Sequence, residues 1–175
     1  GIALRFDSGR KSSQSALLTG LPDVERTLRG RVYANYQFTP RWGLQFSATQ
    51  DLLDRGGGLI LRQGLGYGLP FKLADLPMEW SAGVGLSWAD RTHLKTRYGI
   101  TPEQSATAGL PSYAPSAGLL DWSAGAGVSA ALSSRWVLFG NLSSSRLLGD
   151  AARSPLTQDR GNTRLSLGLA YRCCN

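Results

Sequence analysis

The sequence predicts an all-β protein, an antiparallel up-and-down transmembrane β-barrel of which about eight strands are present. Three observations carry that expectation. Apolar and small or polar residues alternate with a period of two through most of the 175 residues. Short and long connections between the alternating runs take strict turns. The face opposite the apolar one is made of Gly, Ser, Ala, Asn, Gln and some Arg, which is not what a soluble sheet shows to water.

The alternation is cleanest in "MEWSAGVGLSWAD", where Met78, Trp80, Ala82, Val84, Leu86 and Trp88 form one set and Glu79, Ser81, Gly83, Gly85, Ser87 and Ala89 the other. Successive side chains of a strand point to opposite faces, so each set is one face. The first run is Ile2, Leu4 and Phe6 against Ala3, Arg5 and Asp7. In the second, Leu28, Gly30, Val32, Ala34, Tyr36 and Phe38 oppose Arg29, Arg31, Tyr33, Asn35 and Gln37. The third sets Trp42, Leu44, Phe46 and Ala48 against Gly43, Gln45, Ser47 and Thr49. A fourth has Leu59, Leu61, Leu65, Tyr67 and Leu69 against Arg62, Gly64, Gly66 and Gly68, with Gln63 as the exception.

Met78–Asp90 is the fifth run, and Trp122 to Leu132 is the sixth, its Ser123, Gly125, Gly127 and Ser129 forming the small face. Trp136, Leu138 and Leu142 oppose Asn141, Ser143 and Ser145 in the seventh. Leu165, Leu167, Leu169 and Tyr171 oppose Ser166, Gly168, Ala170 and Arg172 in the last. Runs of roughly ten residues cross a bilayer at the usual strand tilt. No comparable run reads as an amphipathic helix, and none nears the ~18–20 apolar residues of a membrane helix.

The joins "TPR" (39–41), "PFKLADLP" (70–77) and "SSR" (133–135) are short. Those at 8–25, 51–58, 91–118 and 147–162 are long and polar. Outer-membrane barrels keep short turns on the periplasmic side and long loops outside. The apolar set is therefore expected to face lipid and the small set a lumen; the alternative is a lipocalin-like soluble barrel with a Gly-lined interior. Trp42 and Trp136 beside short turns, with Trp88 and Trp122 beside the long loop, fit two aromatic girdles.

Arg29, Arg31, Arg62 and Arg172, together with Glu79, fall on the inward face. Arg on the lipid face would cost about 2–4 kcal/mol near the midplane, so the lumen is the cheaper place. There the arginines can pair with Glu79 and Asp7 as internal ion pairs, or line an anion-preferring pore. The external Arg91, Arg97, Arg153 and Arg160 suit lipopolysaccharide phosphates.

The formal charge of +7 is carried almost wholly by scattered Arg, Lys standing only at 11, 72 and 95. That scatter argues against a nucleic-acid partner, which asks for a basic stripe interleaved with aromatics. "GLGYGLP" (64–70) and "AGAGV" (124–128) open no helix, so they are not nucleotide fingerprints. No cofactor and no metal-ligand spacing is read, and the adjacent Cys173 and Cys174 are poorly placed for an ordinary disulfide. The one histidine, His93, stands three residues after Asp90. An Asp–His pair at the rim can activate water, but no supporting motif accompanies it, and the plain reading is a solvated loop residue. The expected protein is not an enzyme.

The long join contains a helix signal. In "TPEQSATAG", Thr101 is a candidate N-cap, Pro102 suits the first helical position, Gln104 completes a capping box, and Gly109 stops the helix. It reads either as one helical turn in an external loop or as a partial plug over the barrel mouth.

"RYGITPEQSATAGLPSYAPSAGL" (97–119), then "SSRW", then "SRLLGDAARSPL" (145–156), together with "RFDSGRKS" near the start and "LSLGLAYR" near the end, resembles the MltA-interacting protein (MipA/OmpV) family. The resemblance runs over essentially the whole chain. It implies a non-enzymatic β-barrel in the outer membrane of Gram-negative bacteria, in contact with lipid and lipopolysaccharide. It also implies a scaffold joining a periplasmic lytic murein transglycosylase to a murein synthase. Residues 1–175 would form one domain, the C-terminal two-thirds or so of a barrel of about 10–12 strands. Cys173 occupies the place where the family tends to carry a terminal aromatic.

Overall fold

The computed structural model describes residues 1–173. Cys174, and with it any role of the cysteine pair, lies outside the described residues. Eight antiparallel strands form one sheet in chain order. They are β1 (Ile2–Asp7), β2 (Thr27–Gln37), β3 (Trp42–Asp51), β4 (Leu59–Leu73), β5 (Leu76–Ala89), β6 (Gly118–Ala131), β7 (Trp136–Leu147) and β8 (Gly161–Tyr171). The sheet curls until Arg31 of β2 and Arg164 of β8 line one cavity. β1 pairs with β2 and β8 with β7, but among the described residues β1 and β8 are not paired with each other, so each has an edge without a strand partner there.

Register fixes which residues share a face. Arg31 opposes Thr49, Ser47 opposes Arg62, Arg62 opposes Ser87, and Ser87 opposes Asp121. All of these belong to the inward set. The outward set is apolar and exposed: Leu4 is 71% exposed, Val84 58%, Leu142 53% and Leu167 77%. A protein folded around an apolar interior would bury those side chains. The small set is inside, and the greasy set is outside.

The two short turns before Trp42 and Trp136 are built alike. Thr39 Oγ1 accepts from the N–H groups of Arg41 and Trp42, at 3.2 and 2.9 Å. Ser133 Oγ accepts from those of Arg135 and Trp136, at 3.2 and 3.1 Å. A hydroxyl two residues ahead of an Arg–Trp pair thus turns the chain in both places.

The join expected at 70–77 is corrected. β4 and β5 run on through it and are closed by a two-residue turn, Ala74–Asp75, with φ of 48° and 63°. Both residues are left-handed, as a type I′ hairpin requires. The pairing of β3 with β4 ends at Trp42 and Tyr67, so the hairpin projects past its neighbours with Pro70 on an unpartnered edge. A missing N–H is tolerated there, which is why a proline that reads as a loop signal sits inside a strand.

The packed cores lie at the long-loop end and not between sheet faces. One joins Ile60, Ala89 and Leu120 of the sheet to Leu94 and Ala151 of the loops, and the other joins Leu18, Leu21 and Ile100.

Candidate functional site

The interior holds a cavity of about 900 Å³. Its arginines are Arg31, Arg41, Arg62 and Arg164, and its only acids are Glu79 and Asp121. One wall carries no side chains, because Gly64, Gly66, Gly83, Gly85 and Gly125 stand there in cross-strand register. The strands bend so closely at this wall that a Cβ on Gly83 would lie 3.2 Å from the Leu65 carbonyl oxygen. The remaining surface is mostly Ser, Asn and Gln.

Of the five inward residues expected from the sequence, Arg31, Arg62 and Glu79 line this cavity. Arg62 Nε donates to Ser87 Oγ at 3.2 Å, and that hydroxyl donates to Asp121 at 2.9 Å. Arg31 lies 5.5 Å from the centre of the Tyr33 ring. Glu79 forms no ion pair among the described residues. Arg172 follows the end of β8, is exposed, and contributes its backbone N–H to the Arg135 carbonyl at 2.7 Å.

Arg29 belongs to a different constellation, at the long-loop end. It is buried and lies 3.7 Å from Asp7, whose carboxylate also takes Arg97 at 2.7 Å. Asp51 gathers loop 52–58 by accepting from Thr27 Oγ1 and from the N–H groups of Leu53, Arg55 and Gly57. Arg29 donates to the Gly57 carbonyl, and His93 Nδ1 lies 2.8 Å from the same oxygen. A carbonyl only accepts, so Nδ1 carries the proton and two donors converge on one oxygen. The Arg29 contact to Nδ1, at 3.2 Å, is then a close approach between donors.

His93 is therefore not a solvated loop residue but is buried, because residues 91–98 fold as a helix laid over the sheet end. This helix, α1 (Arg91–Tyr98), starts where the Asp90 carboxylate accepts the His93 N–H at 2.8 Å. Asp90 meets the histidine backbone and not its ring, so the pair is a cap rather than a water-activating couple. Burial, with the Arg29 and Arg97 guanidiniums, holds the imidazole below its ordinary value; the Gly57 carbonyl and Asp90 pull the other way. Burial likewise pushes the neighbouring Tyr98 hydroxyl up.

The helix read from the sequence is α2 (Pro102–Ala108), and its caps are as read. Gln104 N donates to Thr101 Oγ1 at 3.3 Å, Thr101 N donates to Gln104 Oε1 at 3.0 Å, and Gly109 takes φ +67°. α2 buries none of its residues. Closure of the mouth falls to α1 and to α3 (Gly149–Arg153), whose Leu94 and Ala151 are fully buried against Ile60, Ala89 and Leu120. Neither element was read in the sequence. Of the external arginines, Arg97 is spent on Asp7 and Arg153 pairs with Asp150 at 2.7 Å, while Arg91 and Arg160 stay exposed.

Trp42, Trp88, Trp122 and Trp136 all stand on the outward face. At the short-turn end Trp42 packs on Tyr67 (4.8 Å) and Tyr67 on Trp80 (6.2 Å), while Trp136 packs on Tyr171 (5.0 Å). Trp80, Tyr67 and Tyr171 were missed as part of this group. Cross-strand register, not position along one strand, brings them to the level of the turns. An apolar hollow of about 490 Å³ on the same face is lined by Val32, Phe46, Leu61, Leu86, Trp88 and Leu119 among others. Among the described residues no group of three His, Cys, Asp or Glu side chains converges as a metal site.

The model of the family described as "MltA-interacting protein MipA" matches residues 1–173. The chain belongs to the MltA-interacting protein family. Two curated relatives, the MltA-interacting proteins of Escherichia coli (strain K12) and Shigella flexneri, are each 24% identical to it over 165 residues. The aligned part is 93% of this chain but 63% of each relative, so the chain spans a little under two-thirds of their length. No solved structure matches it.

For a member of the MltA-interacting protein family, the arrangement offers three working surfaces. These are a polar basic lumen, a loop end sealed by α1 and α3, and a projecting β4–β5 hairpin at the opposite end.

Proposed function

We propose that the chain is the barrel part of a non-enzymatic scaffold in the outer membrane of a Gram-negative bacterium, closed there by further strands at the free edges of β1 and β8. The scaffold holds a periplasmic lytic murein transglycosylase and, with it, a murein synthase. The observation that carries this reading is the exposed apolar outer face on a chain of the MltA-interacting protein family. Such a face costs about 25 cal/mol for every Å² left in water, and lipid removes that cost. Relatives bearing a partner in their names support the choice of the transglycosylase.

The docking end is the short-turn end. There the β4–β5 hairpin projects with Leu73 62% exposed and Phe71 38% exposed, and with a strand edge that lacks a β3 partner. An extended segment of a partner can add to such an edge through backbone hydrogen bonds. At the other end, the exposed Arg91 and Arg160 are placed to meet lipopolysaccharide phosphates.

The test is capture of a purified lytic transglycosylase by the barrel in detergent. Shortening loops 103–112 and 155–159 should leave capture intact, whereas trimming residues 70–77 to a tight turn should abolish it. Capture lost with the loops and kept without the hairpin would refute the docking end. No capture by the intact chain would refute the partner.

A further inference from the structure

The four arginines of the lumen are the least explained charges in the molecule. Arg31, Arg41, Arg62 and Arg164 line the cavity, and none takes part in an ion pair among the described residues. Arg62 spends its Nε on Ser87, and among the described residues its two terminal nitrogens have no hydrogen-bond partner. Of the two acids nearby, Asp121 is engaged by the Ser87 hydroxyl. All four side chains are exposed to the lumen, where they are open to an anion, and their forked donors fit a carboxylate with two parallel hydrogen bonds.

The rest of the lining has a different chemistry. Asn35, Gln45, Ser81, Ser123, Asn141 and Ser143 present donors and acceptors without charge. That inventory matches hydroxyl groups better than it matches hydrocarbon or a bare inorganic ion. The space is made by the glycine wall, which starts two residues from Arg62 on β4, and its 900 Å³ lies within the range of small-molecule sites.

The cavity also ends inside the molecule. Its lining runs from Arg41 and Glu79 near the short turns up to Arg62, Ser87 and Asp121. Beyond that level the inward residues are Ile60 and Ala89, covered by Leu94 and Ala151, and beside them the Arg29–Asp7–Arg97 group, of which Arg29 is buried. An anion that enters from the short-turn end meets a floor at the long-loop end.

We propose that the lumen is a blind pocket for a small acidic, hydroxyl-rich molecule, a sugar carboxylate, held by Arg31, Arg62 and Arg164. The carboxylate sits among the guanidiniums, and the Ser, Asn and Gln side chains take the hydroxyl groups. This goes beyond the scaffold reading and does not depend on it.

The experiment is calorimetric titration of the full chain, folded in detergent micelles, with D-glucuronate, D-glucose and acetate in parallel. D-Glucuronate should bind at least ten-fold more tightly than either of the others, and added NaCl should weaken it. R62Q combined with R164Q should lower its affinity ten-fold or more, with strand content and heat-dependent gel mobility unchanged. R31Q removes no hydrogen bond of the fold and gives the same reading should the double variant fail to fold. D-Glucuronate bound no better than D-glucose, acetate bound as tightly as D-glucuronate, or affinity unmoved by R31Q would each overturn the proposal.

Discussion

Leu94 is the most informative side chain to remove. It is fully buried, with Ile60, Ala89, Leu120 and Ala151 in its cluster and Tyr98 and Leu147 packed against them. Leu94→Ala deletes three carbons from a cluster whose other members belong to sheet ends and a short helix, where collapse into the gap is limited. Large-to-small changes of this kind cost about 3 kcal/mol. The loss falls on docking of α1, since no other residue of that helix except His93 is buried. At about 1.4 kcal/mol per factor of ten, opening of α1 becomes roughly 150-fold more frequent. Trypsin reads this directly, because Lys95 lies exposed in α1 and cleavage there follows the open population when reclosing is fast. The rate of cleavage after Lys95 should rise by about two orders of magnitude, with the strands uncut. The same substitution at Leu167, 77% exposed on the outward face, should leave that rate unchanged. Equal rates for wild type and Leu94→Ala would refute the claim that this cluster seals the mouth.

Four further outcomes follow from the geometry. Asp7→Asn removes the carboxylate shared by Arg29 and Arg97, and the uncompensated buried charge should cost about 3 kcal/mol, seen as loss of hydrogen-exchange protection in α1. His93 is held below its ordinary value, so unfolded α1 binds the proton more readily than docked α1. Docking is then at full strength above the ordinary value of 6.5 and weakens as pH falls below it. Hydrogen exchange of α1, corrected for the intrinsic rate, should show that loss between about pH 7.5 and 5.5, and His93→Gln should abolish it. A Cβ on Gly168 would lie 2.4 Å from Phe139 Cζ, the tip of a 41% exposed ring that can swing aside, so Gly168→Ala should destabilise the β7–β8 pair by no more than about 1 kcal/mol in urea titration, and Phe139→Ala should remove that cost. Asn-Gly in place of Ala74–Asp75 suits the two left-handed residues and should stabilise the hairpin by about 1 kcal/mol in the same titration.

Much of this molecule could be read from one period. Alternation from Met78 to Trp88 assigns each side chain to a face, and the residue types then say which face is greasy. The capping box at Thr101 and Gln104 was equally legible, because cap and partner lie within four residues. What escaped depends on distance along the chain. Pro70 reads as a loop unless one knows that β3 stops opposite Tyr67. α1 has no capping box and buries only two side chains, so "RTHLKTRY" carries no helical stripe. His93 is buried by a helix laid over the sheet end, where it meets Gly57, 36 residues earlier. Parity named Arg31 and Arg62 but not Arg41 and Arg164, which also line the cavity, and it did not separate Arg29, since only the fold shows where the seal ends and the cavity begins.

The outward direction of the apolar set is tested most directly by spin labels in liposomes. With Cys173 and Cys174 replaced, single cysteines along β7 and β8 at 138, 142, 165 and 167 are compared with those at 141, 143 and 166. The first group should relax with dissolved oxygen, the second with a water-soluble nickel complex, alternating residue by residue. Nickel access to the first group, together with a compact monomer in plain buffer, would contradict the account.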